Sequence, residues 1–138
     1  MDKHIYDVIN LKDVTEDLNT VGKGFCLAKW YHVSMHLHTG QNHSCYHPAP
    51  HKIPLDLAKE NANVLHNSPF KKKVRKEMLE GGRPDECSYC WNVEDLGDDQ
   101  ISDRMLRSSE PWALPLIQET KEIDWQADVY PRYLELNF

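Results

Sequence analysis

Arg83-Pro84-Asp85-Glu86-Cys87-Ser88-Tyr89-Cys90-Trp91 holds the one C-x-x-C spacing in this 138-residue chain, directly after the helix-ending run Glu80-Gly81-Gly82. Two thiolates with two residues between them, on a tight turn, face one ion or one cluster. The same spacing serves a redox disulfide where it opens a helix after a strand in a βαβ unit, and no such unit is visible here. Cys26 and Cys45 bring the cysteine total to four. Four thiolates close the shell of a zinc ion or of a cubic iron–sulfur cluster.

The rest of the composition fits a small stapled domain. Hydrophobic residues make up 40% of the chain and its mean hydropathy is −0.68, which predicts a modest core that a metal would help to hold. No apolar run is long enough for a membrane span, and Met1-Asp2-Lys3-His4 does not begin a signal peptide. The expected compartment is the cytoplasm, where four cysteines serve metal binding more often than disulfides. A net charge of −6 argues against general nucleic-acid binding.

Residues 1–22 read as an irregular arm that ends in the turn Gly22-Lys23-Gly24. From Tyr31 to His38 the alternation is strict, with Tyr31, Val33, Met35 and Leu37 on one face and His32, Ser34, His36 and His38 on the other. That period predicts a half-buried strand, with Thr39-Gly40 turning it into a partner strand over 41–46. His47 to His51 reads as a rigid connector, 55–60 as a short helix and 61–67 as a loop. Ser68-Pro69 caps a helix whose apolar face is Phe70, Val74 and Met78 beside Leu79. Lys71, Lys72, Lys73, Arg75 and Lys76 fill its other side and read as a solvated face rather than a phosphate patch. Ser102 to Arg107 suggests another short helix, Pro111 and Pro115 frame Trp112 in a linker, and Leu134, Leu136 and Phe138 alternate as a strand. The expected fold is α+β: a small metal-stapled domain with a β-hairpin followed by short helices, an irregular N-terminal arm and an orphan C-terminal strand.

Thirteen residues separate Cys26 from Gly40, and four separate Gly40 from Cys45. With the later C-x-x-C, this arrangement resembles the twitch domain, the shortened SPASM domain of radical SAM proteins. Cys45-Tyr46-His47-Pro48, Leu65-His66-Asn67, Arg75 with Met78-Leu79-Glu80-Gly81, and Glu86 through Trp91 are similar to the twitch-first members. The resemblance covers residues 23–110, between an arm over 1–22 and a linker and strand over 111–138. It implies that Cys26, Cys45, Cys87 and Cys90 hold an auxiliary [4Fe-4S] cluster that relays electrons or positions substrate. In that group a barrel follows, and residues 131–138 resemble its first strand. The C-x-x-x-C-x-x-C loop that cleaves S-adenosylmethionine is absent from these 138 residues. The resemblance therefore implies the leading part of such an enzyme, or a version whose catalytic half is lost or is a separately encoded radical SAM barrel that partners this chain; either way the chain is not catalytic alone and uses S-adenosylmethionine only in a complete or reassembled enzyme.

Strand geometry adds a condition. With the turn at Thr39-Gly40, Ser34 faces Cys45, and an unbroken strand would carry Cys26 about 26 Å away. The chain must bend back between Cys26 and Tyr31, where Leu27-Ala28-Lys29-Trp30 has the composition of a helical turn. His47 is placed to replace a ligand or hydrogen-bond a cluster sulfur, and Trp30, Tyr89 and Trp91 to keep water from it. His36 and His38, about 6.6 Å apart along one strand face, form a lesser metal candidate, while His32 lies too far away to join them. A four-cysteine zinc module is the main alternative. No G-x-S-x-G, H-E-x-x-H or glycine-rich phosphate loop occurs.

Overall fold

The computed structural model describes residues 11–45, 47–97, 99–111 and 113–138. Tyr46, Trp112 and the first ten residues of the expected arm lie outside them. The remainder of that arm is not irregular. Helix α1, Leu11–Val21, places Val14 and Leu18 in the core. Its spacing of 11, 14, 18 and 21 is that of one helical face, thinly marked among polar residues.

Gly22-Lys23-Gly24 then crosses the end of a later helix, backbone against backbone. A Cβ on Gly24 would stand 1.8 Å from the Gly82 carbonyl oxygen, and one on Gly22 would stand 3.0 Å from Gly81 Cα. Glycine is required at Gly24 because the two chains occupy the space a side chain would take. This crossing sets Cys26 near the chain that leads to Cys87.

The bend expected after Cys26 is present as the single turn α2, Ala28–Tyr31, which runs into strand β1, His32–His36. Four successive carbonyls at this junction have partners from elsewhere in the chain. Arg75 Nε donates to Lys29 O at 2.9 Å, His66 Nε2 to Trp30 O at 2.7 Å, Arg132 N to Tyr31 O at 2.7 Å, and Lys71 Nζ to His32 O at 3.2 Å. A turn this short leaves its carbonyls exposed, and long cationic side chains satisfy two of these four.

The hairpin forms with β2, Gln41–His43, but two residues out of the expected register: Ser34 faces His43 and His36 faces Gln41. The turn spans four residues, with Gly40 at φ +69°. A shift of two keeps every side chain on its expected face. β1 is more deeply buried than expected, His32 and Ser34 included, because it is an inner strand. β3, His51–Lys52, lies where a plain connector was expected and pairs antiparallel with β2. β4, Tyr133–Asn137, pairs parallel with β1, giving the order β3-β2-β1-β4. The C-terminal strand is therefore present and joined to this sheet on one edge. Its other edge has no strand partner among the described residues.

Helix α3, Leu55–Glu60, precedes a 3-10 turn at Ala62–Leu65. Helix α4, Pro69–Leu79, starts at Ser68, whose hydroxyl accepts from Lys71 N at 3.3 Å. The face it buries differs from expectation: Lys71, Val74, Arg75 and Met78 are buried, and Phe70 is 41% exposed. Two of the five basic residues thus belong to the interior, where they hold the α2–β1 junction. Lys71 Nζ also donates to His66 Nδ1 at 3.0 Å, and Arg75 donates to Asn67 Oδ1 at 2.8 Å.

After Gly82 a 3-10 turn, Asp85–Cys87, leads into α5, Ser88–Glu94, and then α6, Asp103–Ser108. The stretch expected as linker folds back as a 3-10 turn at Leu114–Leu116 and α7, Ile117–Thr120. Ala113 and Ile117 join the same core as Leu18, Trp30, Met78 and Trp91. Among the described residues, no helix is long and apolar enough to cross a membrane.

Candidate metal centre

Cys26, Cys45, Cys87 and Cys90 line one cavity. Each comes from a different local setting: the loop before α2, the segment after β2, the end of a 3-10 turn, and the first turn of α5. All four are free thiols. As placed, they share walls without closing to a single-ion shell, since no three His, Cys, Asp or Glu side chains among the described residues gather tightly enough to hold one ion.

Ala28, Met78 and Trp91 supply apolar wall. Trp91 is fixed by its indole N–H, which donates to Pro84 O at 2.7 Å, and Arg83 lies over its ring at 4.9 Å. Three cations complete the lining, and each has its own carboxylate. Lys29, 3% exposed, pairs with Glu86; Arg104 grips Glu94 through Nε at 3.0 Å and NH2 at 2.8 Å; Arg107 meets Glu110 at 2.7 Å. Arg104 also donates to Phe25 O at 3.0 Å and to Asn19 Oδ1 at 2.9 Å. One guanidinium thus ties α1, the Cys26 loop and α5 around the cavity, because its planar fork reaches several acceptors at once.

The thiols feel both burial and one another. Burial first, and then Cys45 and Cys87, push the Cys26 thiol up to about 12. Burial pushes Cys87 up to about 12 against the opposing pull of Lys29, and it also raises Cys45 and Cys90. Burial alone would lower Lys29, but Cys87 and Glu86 outweigh it and hold the ammonium above its usual value. Four thiolates can coexist here only beside compensating positive charge, which a bound metal or cluster supplies.

The residues expected beside the ligands divide into two pairs. His47 and Trp91 line the cavity. His47 also stacks on Tyr89, with centroids 3.7 Å apart, and pairs through Nε2 with Asp103. Tyr89 is 51% exposed and touches the cavity only through His47, while Trp30 is wholly buried against Phe25 instead. Lys29, Arg104 and Ser44 had no expected role beside the ligands, and Glu86 appeared only within the run that resembles the twitch domain. Two of these had a signal: Glu86 adjoins the C-x-x-C, and Lys29 lies one helical turn after Cys26.

Ser44 tests whether the cavity suits a sulfur-rich group. Ser44 is one of the lining residues, and its buried hydroxyl has no hydrogen-bond partner among the described residues. Arg107 is another lining residue, and its Nε is likewise buried without a partner among the described residues. Buried donors left over beside four thiols fit a group that accepts hydrogen bonds, as inorganic sulfide and thiolate do. No family model matches the chain, and no curated protein or solved structure matches it.

Proposed function

We propose that the chain binds a [4Fe-4S] cluster through Cys26, Cys45, Cys87 and Cys90, in the auxiliary role that the twitch-like arrangement implies. The observation that carries this reading is the meeting of all four cysteines on one cavity wall, from positions as far apart as 26 and 90. A four-iron cube spreads its thiolates more widely than one ion does, which suits cysteines that share a cavity without forming a single-ion shell. When bound, such a cluster supplies one-electron transfer or a site of coordination for substrate. The chain's own part is to hold the thiolates, keep water off with Met78 and Trp91, and offer Ser44 as a donor.

S-adenosylmethionine cleavage belongs in this reading to a radical SAM barrel outside these 138 residues, which contain no C-x-x-x-C-x-x-C. β4 already pairs with β1, so its pairing lends that partner no support. The partner rests on the resemblance alone.

Anaerobic purification and reconstitution test the cluster. The expected product is brown, carries about four irons per chain, and loses its iron with Cys87→Ala or Cys90→Ala. A colourless protein with one stoichiometric zinc replaces this reading with the zinc module.

A further inference from the structure

The two edges of the sheet are finished differently. β3 is two residues long, carries Lys52 and lies between Pro50 and Pro54, which are the usual devices that keep an edge from pairing. β4 runs for five residues with neither lysine nor proline. The side-chain face that both edges share differs too. On β3, His51 is covered by Ser68, at 2.6 Å, and by the Phe70 ring, with centroids 4.3 Å apart. On β4, Leu134 and Leu136 are 52% and 45% exposed, and Phe138 beyond them is 89% exposed. Of the thirteen large apolar side chains exposed among the described residues, five fall within residues 130–138. Bare apolar surface therefore gathers beside this open edge instead of being scattered, and such gathering marks a contact surface.

The backbone says what the edge can pair with. Leu37 N donates to Asn137 O at 2.8 Å, and His36 lies opposite Asn137. Asn137 thus turns its backbone groups toward β1, and by the two-residue repeat Tyr133 and Glu135 do the same. Leu134 and Leu136 point theirs at the open edge. A strand that meets its own copy about a two-fold axis lies antiparallel, with one residue facing itself on the axis. An axis at Glu135 fails, because β1 already takes its backbone groups and carboxylate would oppose carboxylate. An axis at Leu134 brings Arg132 opposite Leu136, but Arg132 N already donates to Tyr31 O at 2.7 Å. An axis at Leu136 meets neither obstacle. It sets Leu134 against Phe138 on the apolar face and Glu135 against Asn137, an amide that can donate to a carboxylate, on the other.

We propose that the β4 edge is a homodimer interface, in which two copies pair antiparallel about Leu136 and join their sheets into one. Leu136 exchanges backbone hydrogen bonds with its own copy, and Leu134 exchanges them with Phe138 of the second chain. Each copy uses the same edge, so the contact closes at a dimer. One strand pair is smaller than a standard interface, which places the dissociation constant at about 10–100 µM. None of these residues lines the cysteine cavity, so the interface is independent of what that cavity holds.

Sedimentation equilibrium of the anaerobically purified, thiol-reduced chain, from about 5 µM to about 1 mM, tests this. A monomer–dimer equilibrium is expected. Hydrogen exchange at the Leu136 amide should slow as the dimer forms, while the Glu135 amide, bonded to β1, is slow throughout. Leu136→Pro removes an N–H that serves only the second copy. It should raise the dissociation constant at least tenfold and leave the Glu135 amide protected. Leu134→Lys, a charge on the apolar face, should raise it as much, and it decides alone if Leu136→Pro loses the Glu135 protection. Leu96→Lys, at an exposed apolar residue elsewhere, should change nothing. A parent that is monomeric at about 1 mM overturns the proposal, including one whose Leu136 amide becomes protected only when a different strand is supplied. A dimer as tight in Leu134→Lys as in the parent also overturns it, because another surface then makes the contact.

Discussion

Cys87 and Cys90 sit on one continuous piece of chain, a 3-10 turn running into α5, with Trp91 pinned to Pro84 O seven residues back. Cys26 and Cys45 flank the hairpin, and their approach depends on residues far along the chain: Arg75, His66, Lys71 and Arg132 on the carbonyls of the α2–β1 junction, and Gly82 against Gly24. One half of the cavity is local geometry and the other is long-range packing around buried cations. The local half should survive insults that open the other.

Acid gives the largest expected effect. Burial first, and the Lys71 ammonium second, push His66 down to about 2 and His32 to about 4 from an ordinary 6.5. Below pH 6.5 the folded state therefore binds fewer protons than the unfolded chain. The stability is complete above about pH 6.5 and is lost as the pH falls toward those folded values. At about 1.4 kcal/mol per pH unit, the two histidines together cost about 5 kcal/mol near pH 4.5, comparable with the whole stability of a small domain. Hydrogen exchange across this range should release the α2–β1 junction before α5. A urea midpoint at pH 4.5 equal to that at pH 7 would contradict the account.

Arg75→Met removes the donor from Lys29 O and from Asn67 Oδ1 inside the core. One carbonyl orphaned at about 1–3 kcal/mol and one charged-donor hydrogen bond lost at Asn67 Oδ1, which still accepts from Val129 N at 3.0 Å, predict a loss of about 3–5 kcal/mol. Equilibrium denaturation measures it, and a loss below about 1 kcal/mol would mean that these carbonyls find other partners. Gly24→Ala should cost about 3 kcal/mol, since the clash is with backbone rather than a yielding side chain. It should also cut metal loading while leaving the helical circular dichroism largely intact. Wild-type loading would show that the glycine crossing does not position Cys26.

Ser44→Ala has the smallest expected effect. Hydrogen bonds to cluster sulfurs raise the reduction potential, so this variant should load the same iron yet titrate at a more negative potential. An unchanged potential at full loading removes Ser44 from the site without touching the four cysteines.

The sequence disclosed the local half more readily than the distant one. Ser68-Pro69 and Gly81-Gly82 mark the limits of α4 because caps are local chemistry, and the alternation at 31–38 marks β1 for the same reason. Patterning by polarity failed at Lys71 and Arg75, whose stems pack in the core while their charged ends reach carbonyls that no single-sequence pattern reveals. The hairpin register slipped by two because either turn length preserves the alternation. All four ligand candidates could be named from cysteine spacing. The ion pairs of Lys29 and Arg104 depend on which elements meet, and their ordinary surroundings in the sequence hide them.

The distribution of the cysteines also sets a timetable. Cys45 is synthesised 42 residues before Cys87, an interval of about 2–8 s at about 5–20 residues per second. During that interval the nascent chain displays two thiols whose intended neighbours do not yet exist, and the glycine crossing cannot form until Gly82 has emerged. Any centre that uses all four cysteines could assemble only after release of the later segment, so the early cysteines would pass through a window in which oxidation or a stray ion can claim them first.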